Sequence, residues 1–262
     1  MKKRTKIILI CSIAVVFVIV CGVIALPHIV SAVKQAENKT LMPMDTGEVI
    51  SGVYVIREAD DITNLYLVKT SEDKYIAIDT GRNPEKVLDE MKKMGIDPAD
   101  VVAVFLTHSD DDHAGGLPAF SNSAIYLPEE EMQMIDGTTK RSNITGYNKW
   151  PGGISYTAVT GKVTIGGIEV RGYLTPGHTP GSTCWKIENM LFVGDSMSLK
   201  DGKAHLFNSL YNMDDDQQIT SVNALLKEID FFAEEPEVKY LFTAHYGYTD
   251  DAGDALNGGL LK

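Results

Sequence analysis

The sequence predicts an α/β sandwich, two β-sheets with helices on their outer faces. Three observations predict it. Short runs rich in Val, Ile and Tyr precede a helical stretch, and this order occurs twice along the chain. Residues 101–107 form an apolar run without alternation, the mark of a strand covered on both faces. Asp-Asp, Ser-Glu-Asp and glycine turns punctuate the chain at intervals that suit strands.

The elements follow in order. Residues 33–47, mixed and polar with Pro43 and Gly47, read as a linker into a domain at 48–262. Strands are expected at 49–56, 62–70 and 74–79. Asn83-Pro84 opens a helix with a cap and a first-turn proline; Val87, Leu88, Met91 and Met94 make its apolar face and Gly95 ends it. After the buried strand at 101–107 come a short strand at 124–127 and a helix around 129–135. Residues 136–153 read as a polar loop. Residues 154–174 read as two or three antiparallel strands turning at Gly161 and Gly166-Gly167, and 182–187 with 190–193 as a hairpin turning near Glu188-Asn189. A loop is expected at 197–214. A long helix follows around 216–233, with Ile219, Val222, Leu225, Leu226, Ile229 and Phe232 on one face, and then a last strand at 238–243.

Length and charge narrow the function. Within 262 residues, everything after the first thirty or so suffices for one large domain. The formal net charge is −12, although Lys2, Lys3, Arg4 and Lys6 sit at the very start. So acidic a body would repel phosphate backbones, and no nucleic-acid partner is expected. Cys11 and Cys21 lie in the hydrophobic N-terminal segment, and Cys184 stands alone in the globular part, so a disulfide scaffold is excluded.

Residues 7–26 carry no charge and follow the basic cluster. At helical rise such a run spans the roughly 30 Å hydrocarbon core, with its positive flank inside and the following chain outside. Two outcomes fit residues 1–32: a retained signal anchor, giving a single-pass membrane protein with an extracytoplasmic domain, or a signal peptide cleaved after Val30-Ser31-Ala32 and a secreted domain. The run is longer than an ordinary signal core, which favours the anchor.

Four of the six histidines fall at or just beyond the ends of expected strands: His108, His113, His178 and His245. Asp79, Asp110, Asp111, Asp112 and Asp195 accompany them. Imidazole nitrogens with carboxylate oxygens suit zinc, iron or manganese. Glycines beside each position, among them Gly115-Gly116, Gly177, Gly181, Gly194 and Gly247, allow tight loops to approach one centre.

These residues carry a family resemblance. Thr107-His108-Ser109-Asp110-Asp111-Asp112-His113-Ala114-Gly115-Gly116 resembles the H-x-H-x-D-H-x-G-G motif of the metallo-β-lactamase superfamily. Thr175-Pro176-Gly177-His178 resembles its second histidine loop, Gly194-Asp195 its bridging-aspartate loop, Ala244-His245 its last histidine loop, and Ile78-Asp79-Thr80-Gly81 its early aspartate turn. The match covers about residues 48–250 with all five motifs in family order. It implies the four-layer αββα sandwich of that fold and two metal sites. His108, Asp110 and His178 would hold the first ion, Asp112, His113 and His245 the second, and Asp195 would bridge them, with Asp79 behind the motif loop. Asp110 stands where most members have histidine, an H-x-D-x-D-H variant that leaves the metal and the filling of the first site open.

The resemblance implies a metal-dependent hydrolase, with two zinc ions expected and iron or manganese as alternatives. A metal-bound hydroxide, available near neutral pH, would attack an ester, thioester, lactone or phosphodiester of a small molecule or cell-surface component. Asp112 is the residue expected to orient the nucleophile and move a proton. A di-iron redox protein, motivated by Asp110, and a non-catalytic binding module remain as competing readings. His205, Tyr211 and Asn212 read as surface loop, Asp111 as a solvated partner of the motif loop, and Cys184 with Trp185 as core.

Overall fold

The computed structural model describes residues 25, 41, 44–57, 63–142, 145–159, 161–229, 238–257 and 260. Apart from residue 25, the run at 7–26 lies outside the described residues, as does almost all of segment 1–32. Among the described residues no helix is long and apolar enough to cross a membrane.

Two sheets make the centre of the unit Met42–Lys262. The first has seven strands in the order β1 (Gly47–Ile50), β2 (Val53–Arg57), β3 (Asn64–Lys69), β4 (Tyr75–Ile78), β5 (Val101–Phe105), β6 (Ala124–Pro128) and β7 (Thr157–Val159). The second has six strands. In sequence they are β8 (Lys162–Ile165), β9 (Ile168–Leu174), β10 (Thr183–Ile187), β11 (Met190–Phe192), β14 (Tyr240–Phe242) and β15 (Tyr248–Thr249); in space they run β15-β14-β11-β10-β9-β8. A separate ribbon pairs β12 (Met197–Lys200) with β13 (Lys203–Leu206).

Three apolar layers hold the sandwich together. Val55, Tyr66, Ile78 and Phe105 from the first sheet interlock with Trp185, Phe192 and Phe242 from the second. Side chains of opposite parity on the first sheet, such as Leu65, Leu67 and Val104, pack instead on Val87 and Met91 of helix α1 (Pro84–Met94). On the far side Leu191, Val193 and Leu241 pack on Val222, Leu225 and Leu226 of a long helix, Asp215–Glu228. Helix, sheet, sheet, helix is the expected four-layer order. Trp185 Nε1 donates to the Leu106 carbonyl at 2.9 Å and Thr183 N to the Thr107 carbonyl at 3.0 Å, stitching the two sheets beside the site.

Local sequence accounts for the helix ends. Asn83 accepts hydrogen bonds from Glu85 N and Lys86 N, Pro84 sits at the first turn, and Gly95 closes α1 at φ +72°. Val87 and Met91 are buried as expected, but Leu88 lies outside the contact stripe and is 38% exposed. Short helices follow at α2 (Asp111–Ala114) and α3 (Met132–Ile135), the latter continuing a 3-10 turn at Glu129–Glu131. The long helix, α4, starts from Asp214, whose side chain caps Gln217 N; α5 (Ala252–Leu256) is the last described element.

Several boundaries differ from expectation for physical reasons. The strand expected at 49–56 is a hairpin, because the chain reverses at Ser51-Gly52 with Gly52 at φ +79°. Of the strands expected to pair antiparallel within 154–174, β8 and β9 do so, turning at Gly166-Gly167. β7 instead pairs parallel with β6 in the other sheet. The segment 197–214, expected as loop, contains the β12–β13 ribbon. α4 ends at Glu228; Phe232 lies outside the described residues, and the buried Gln218 joins Val222 on the inner face while Ile219 is only half-buried.

β4, β5 and β6 are parallel neighbours, as are β11 and β14. Parallel pairs need crossovers, so the loops leaving their C-terminal ends gather along one edge of the sandwich. Gly116 shows how tightly. A Cβ there would lie 2.0 Å from the Thr80 carbonyl oxygen. Replacing Gly116 with Ala is expected to cost at least about 2 kcal/mol, because one backbone must move away from the other. Chemical denaturation checks this; an unchanged midpoint would show that the two loops are not locked together.

Candidate metal centre

The site is built from the ends of strands in both sheets. Asp79 follows β4, His108 follows β5, and the turn of α2 brings Asp110, Asp112 and His113 round behind it. His178 comes just after β9, Asp195 after β11 and His245 after β14. All seven residues expected to meet do meet. Ligand atoms of His108, Asp110 and His178 lie within 4.8 Å of one another, as do those of Asp112, His113 and His245, and those of His108, His113 and Asp195.

Asp195 stands between the two halves. Its Oδ2 is 3.4 Å from His178 Nε2, while its Oδ1 is 3.6 Å from His113 Nε2 and 3.2 Å from His245 Nε2. Asp110 Oδ2 lies 3.6 Å from His108 Nε2 and 3.2 Å from His178 Nε2. Asp112 Oδ2 lies 3.8 Å from His113 Nε2 and 3.6 Å from His245 Nε2, and it accepts a hydrogen bond from the Thr63 hydroxyl at 3.2 Å.

A surrounding set of side chains aims these groups. Asp79 adopts a left-handed backbone, φ +59°, and its carboxylate accepts from Thr107 N at 2.7 Å, from the Thr107 hydroxyl and from His113 Nδ1 at 2.8 Å. That contact turns His113 Nε2 inward. His178 Nδ1 donates to Asn212 Oδ1 at 3.1 Å, and the Asn212 amide nitrogen is committed to the Phe207 carbonyl and Asp215, so the acceptor faces the ring. Gln218 Nε2 donates to the carbonyls of Asp195 and Ser196, each at 2.9 Å, which ties the aspartate loop to α4. Glu131 spans two loops: it accepts from Ser109 N and Oγ on one side and from Thr179 Oγ1 and Gly181 N on the other.

Electrostatics supply the test of whether a cation fits. Burial pushes the His113 pKa down, but the charges of Asp79, Asp112 and Asp195 outweigh it and hold it well above the usual imidazole range. His245 is likewise raised against burial by Asp195 and Asp112. Burial pushes Asp195 up, and His245 with His113 brings it well below the usual carboxylate range; His108 and His178 do the same for Asp110. For His178 burial dominates and its pKa falls. Such a cluster holds positive charge tightly, and a divalent ion can replace protons on its imidazoles. His108 Nε2, His113 Nε2 and Asp195 Oδ1 are buried and have no hydrogen-bond partner, a costly arrangement for polar atoms that a metal ion relieves. Donor type, spacing and orphaned atoms all fit a pair of zinc-like cations.

The remaining expectations divide. Asp111 is exposed and pairs with Arg82, and Cys184 and Trp185 are core, as read. Asn212 is not merely surface loop, since it orients His178, and the Tyr211 carbonyl accepts from Arg141. His205 pairs with Ser198 in the ribbon. Sequence reasoning missed Glu131, Arg141, Asn148 and Gln218; each acts on a loop far away in the chain, and no local motif marks them.

The family model described as the metallo-beta-lactamase superfamily matches residues 59–245, and the chain belongs to that superfamily. A zinc-dependent hydrolase named for probable polyketide biosynthesis, BaeB of Bacillus velezensis, is 29% identical over 130 residues, 48% of this chain and 51% of that protein. A hydroxyacylglutathione hydrolase of Enterobacter is 29% identical over 172 residues, 63% of this chain and 58% of that protein. The chain thus spans between about half and three fifths of the length of these curated relatives. Among solved structures, a B3 metallo-beta-lactamase with an active-site glutamic acid superposes with a TM-score of 0.62 at 18% identity, covering 86% of this chain and 89% of that one. BJP-1, a subclass B3 metallo-beta-lactamase of Bradyrhizobium japonicum, gives 0.56 at 21% identity over 80% and 81%. These likenesses show the fold. The class of protein is therefore that of the metallo-beta-lactamase superfamily.

Glu131 is expected to matter for stability rather than chemistry. Glu131→Gln puts amide hydrogens against some of four donors in a buried site, so unfolding free energy should fall by about 2 kcal/mol or more. A denaturation curve matching the wild type would show that Glu131 is not the strut between the Ser109 and Thr179 loops.

Proposed function

We propose that this protein is a zinc-dependent hydrolase of ester-type substrates, with two ions in the centre and the domain working outside the cytoplasmic membrane. His108, Asp110 and His178 would hold one ion; Asp112, His113 and His245 the other; Asp195 would face both. The observation that carries this reading is the division of Asp195, with Oδ2 toward His178 and Oδ1 toward His113 and His245. The names of the relatives, a zinc-dependent hydrolase and a hydroxyacylglutathione hydrolase, support the metal and the reaction class.

When bound, the ions supply Lewis acidity, which activates water near neutral pH and polarises the substrate oxygen. The chain's own residues do the rest. Asp79 keeps His113 oriented, and Asn212 does so for His178. Asp112 is only partly buried, with one oxygen toward His113, His245 and the Thr63 hydroxyl. That places a carboxylate at the mouth of the centre, where it orients a water molecule and takes its proton for delivery to the leaving group. An ester, thioester, lactone or phosphodiester all suit this chemistry. The location rests on the basic cluster and the charge-free run at 7–26, which support an anchor or a signal segment.

Metal analysis of the purified protein is expected to return zinc, and chelation should abolish cleavage of nitrophenyl ester or phosphodiester substrates until zinc is restored. Asp112→Ala should retain the wild-type circular dichroism spectrum and lose at least about 100-fold in turnover, the scale for a positioned proton-transfer group. Turnover close to wild type would remove the role given to Asp112.

A further inference from the structure

Arg141 lies in the 136–153 loop, and its guanidinium reaches the ligand atoms of one half of the centre alone. Its Nε donates to Asp110 Oδ1 at 3.0 Å and Oδ2 at 2.9 Å. Its Nη2 faces His178 Nε2 at 3.1 Å and also donates to the Tyr211 carbonyl. His178 donates through Nδ1 to Asn212, so Nε2 offers its lone pair. Asp110 Oδ2 and His178 Nε2 are therefore two acceptors only 3.2 Å apart, a contact that needs positive charge beside it. Arg141 provides that charge on both. The contacts of this guanidinium with ligand atoms fall on Asp110 and His178, while Asp112, His113 and His245 lie around Asp195 on the other side of the centre.

We propose that Arg141 is a built-in competitor for the first cation site. Its guanidinium is the resident counter-charge of Asp110 and His178, so the Asp112–His113–His245 site fills first, and the first site fills only as Arg141 is displaced from their ligand atoms. A guanidinium and a divalent cation sharing the same two ligand atoms repel strongly in a buried setting. The aspartate at position 110 and Arg141 then make sense together. A carboxylate, unlike an imidazole, offers two oxygens to the Arg141 Nε hydrogen, and Asn148 Nδ2 at 2.8 Å from Oδ1 keeps that carboxylate in place. Arg141 thus sets the occupancy of the first site, and through the Tyr211 carbonyl it links that occupancy to the 197–214 segment.

This inference rests on the two-cation reading above, and zinc binding itself distinguishes the two. Full-length protein is stripped of metal and titrated with zinc against a chromophoric chelator, beside Arg141→Gln, Arg141→Met and Asp110→Asn. The wild type should show one tight and one weaker class of site. Both Arg141 variants should tighten the weaker class by about 10-fold or more, the scale on which neighbours of ligands alter metal affinity, and leave the tight class unchanged. Asp110→Asn should weaken or remove the weaker class alone. Two neutral substitutions of different shape guard against a local folding defect in either one. Equal sites in the wild type, or a weaker class that Arg141 substitution leaves unchanged or loosens, would overturn the inference while leaving the hydrolase reading standing. Failure of every protein to bind zinc would overturn both.

Discussion

The buried contact of Asp79 with Thr107 and His113 is the constraint on which the centre depends. Asp79 ends one parallel strand, Thr107 lies just beyond the next, and His113 is on the short helix that follows. Their hydrogen bonds lock the motif loop onto the edge of the first sheet without any residue of the second. The left-handed backbone at Asp79 costs energy for a residue with a Cβ, and the carboxylate's fully used acceptors offset it. A ring held in this way has little freedom left, which is what a metal ligand requires.

The second half of the centre is braced differently. Gln218 holds the Asp195 loop from α4, and the Ser221 hydroxyl on the same helix donates to the Pro176 carbonyl in the His178 loop. Glu131 then crosses between the halves, binding Ser109 on one and Thr179 with Gly181 on the other. Burial raises the Glu131 pKa despite those donors. The protein accepts that electrostatic cost to tie two loops whose ligands must stay within a few ångströms.

The centre is acidic at its core and cationic at one rim. Asp79, Asp110, Asp112 and Asp195 crowd around four imidazoles, and Arg141 closes on the Asp110 side. The Asp110–His178 side of the centre thereby carries a guanidinium against its carboxylate. That charge comes from a residue of the 136–153 loop and meets the carboxylate of Asp110.

The sequence alone marked the residues that converge on the centre and the strand framework that delivers them. Residues 101–107 announce a doubly covered strand, and His108, Asp110, Asp112 and His113 follow so closely that their relative placement is local. The cap at Asn83 and the stop at Gly95 are local as well, and α1 has those ends. Tertiary structure alone decided partnerships between distant segments. Periodicity marks β7 as a strand yet cannot say which sheet receives it, and the split at Ser51-Gly52 depends on a turn that the apolar pattern runs straight through. Glu131, Arg141, Asn212 and Gln218 are ordinary polar residues by composition; they acquire roles because the fold brings them against loops tens of residues away. Propensity and capping are written in neighbouring residues, whereas hydrogen bonds across the sandwich exist only once two sheets have buried their apolar faces against each other.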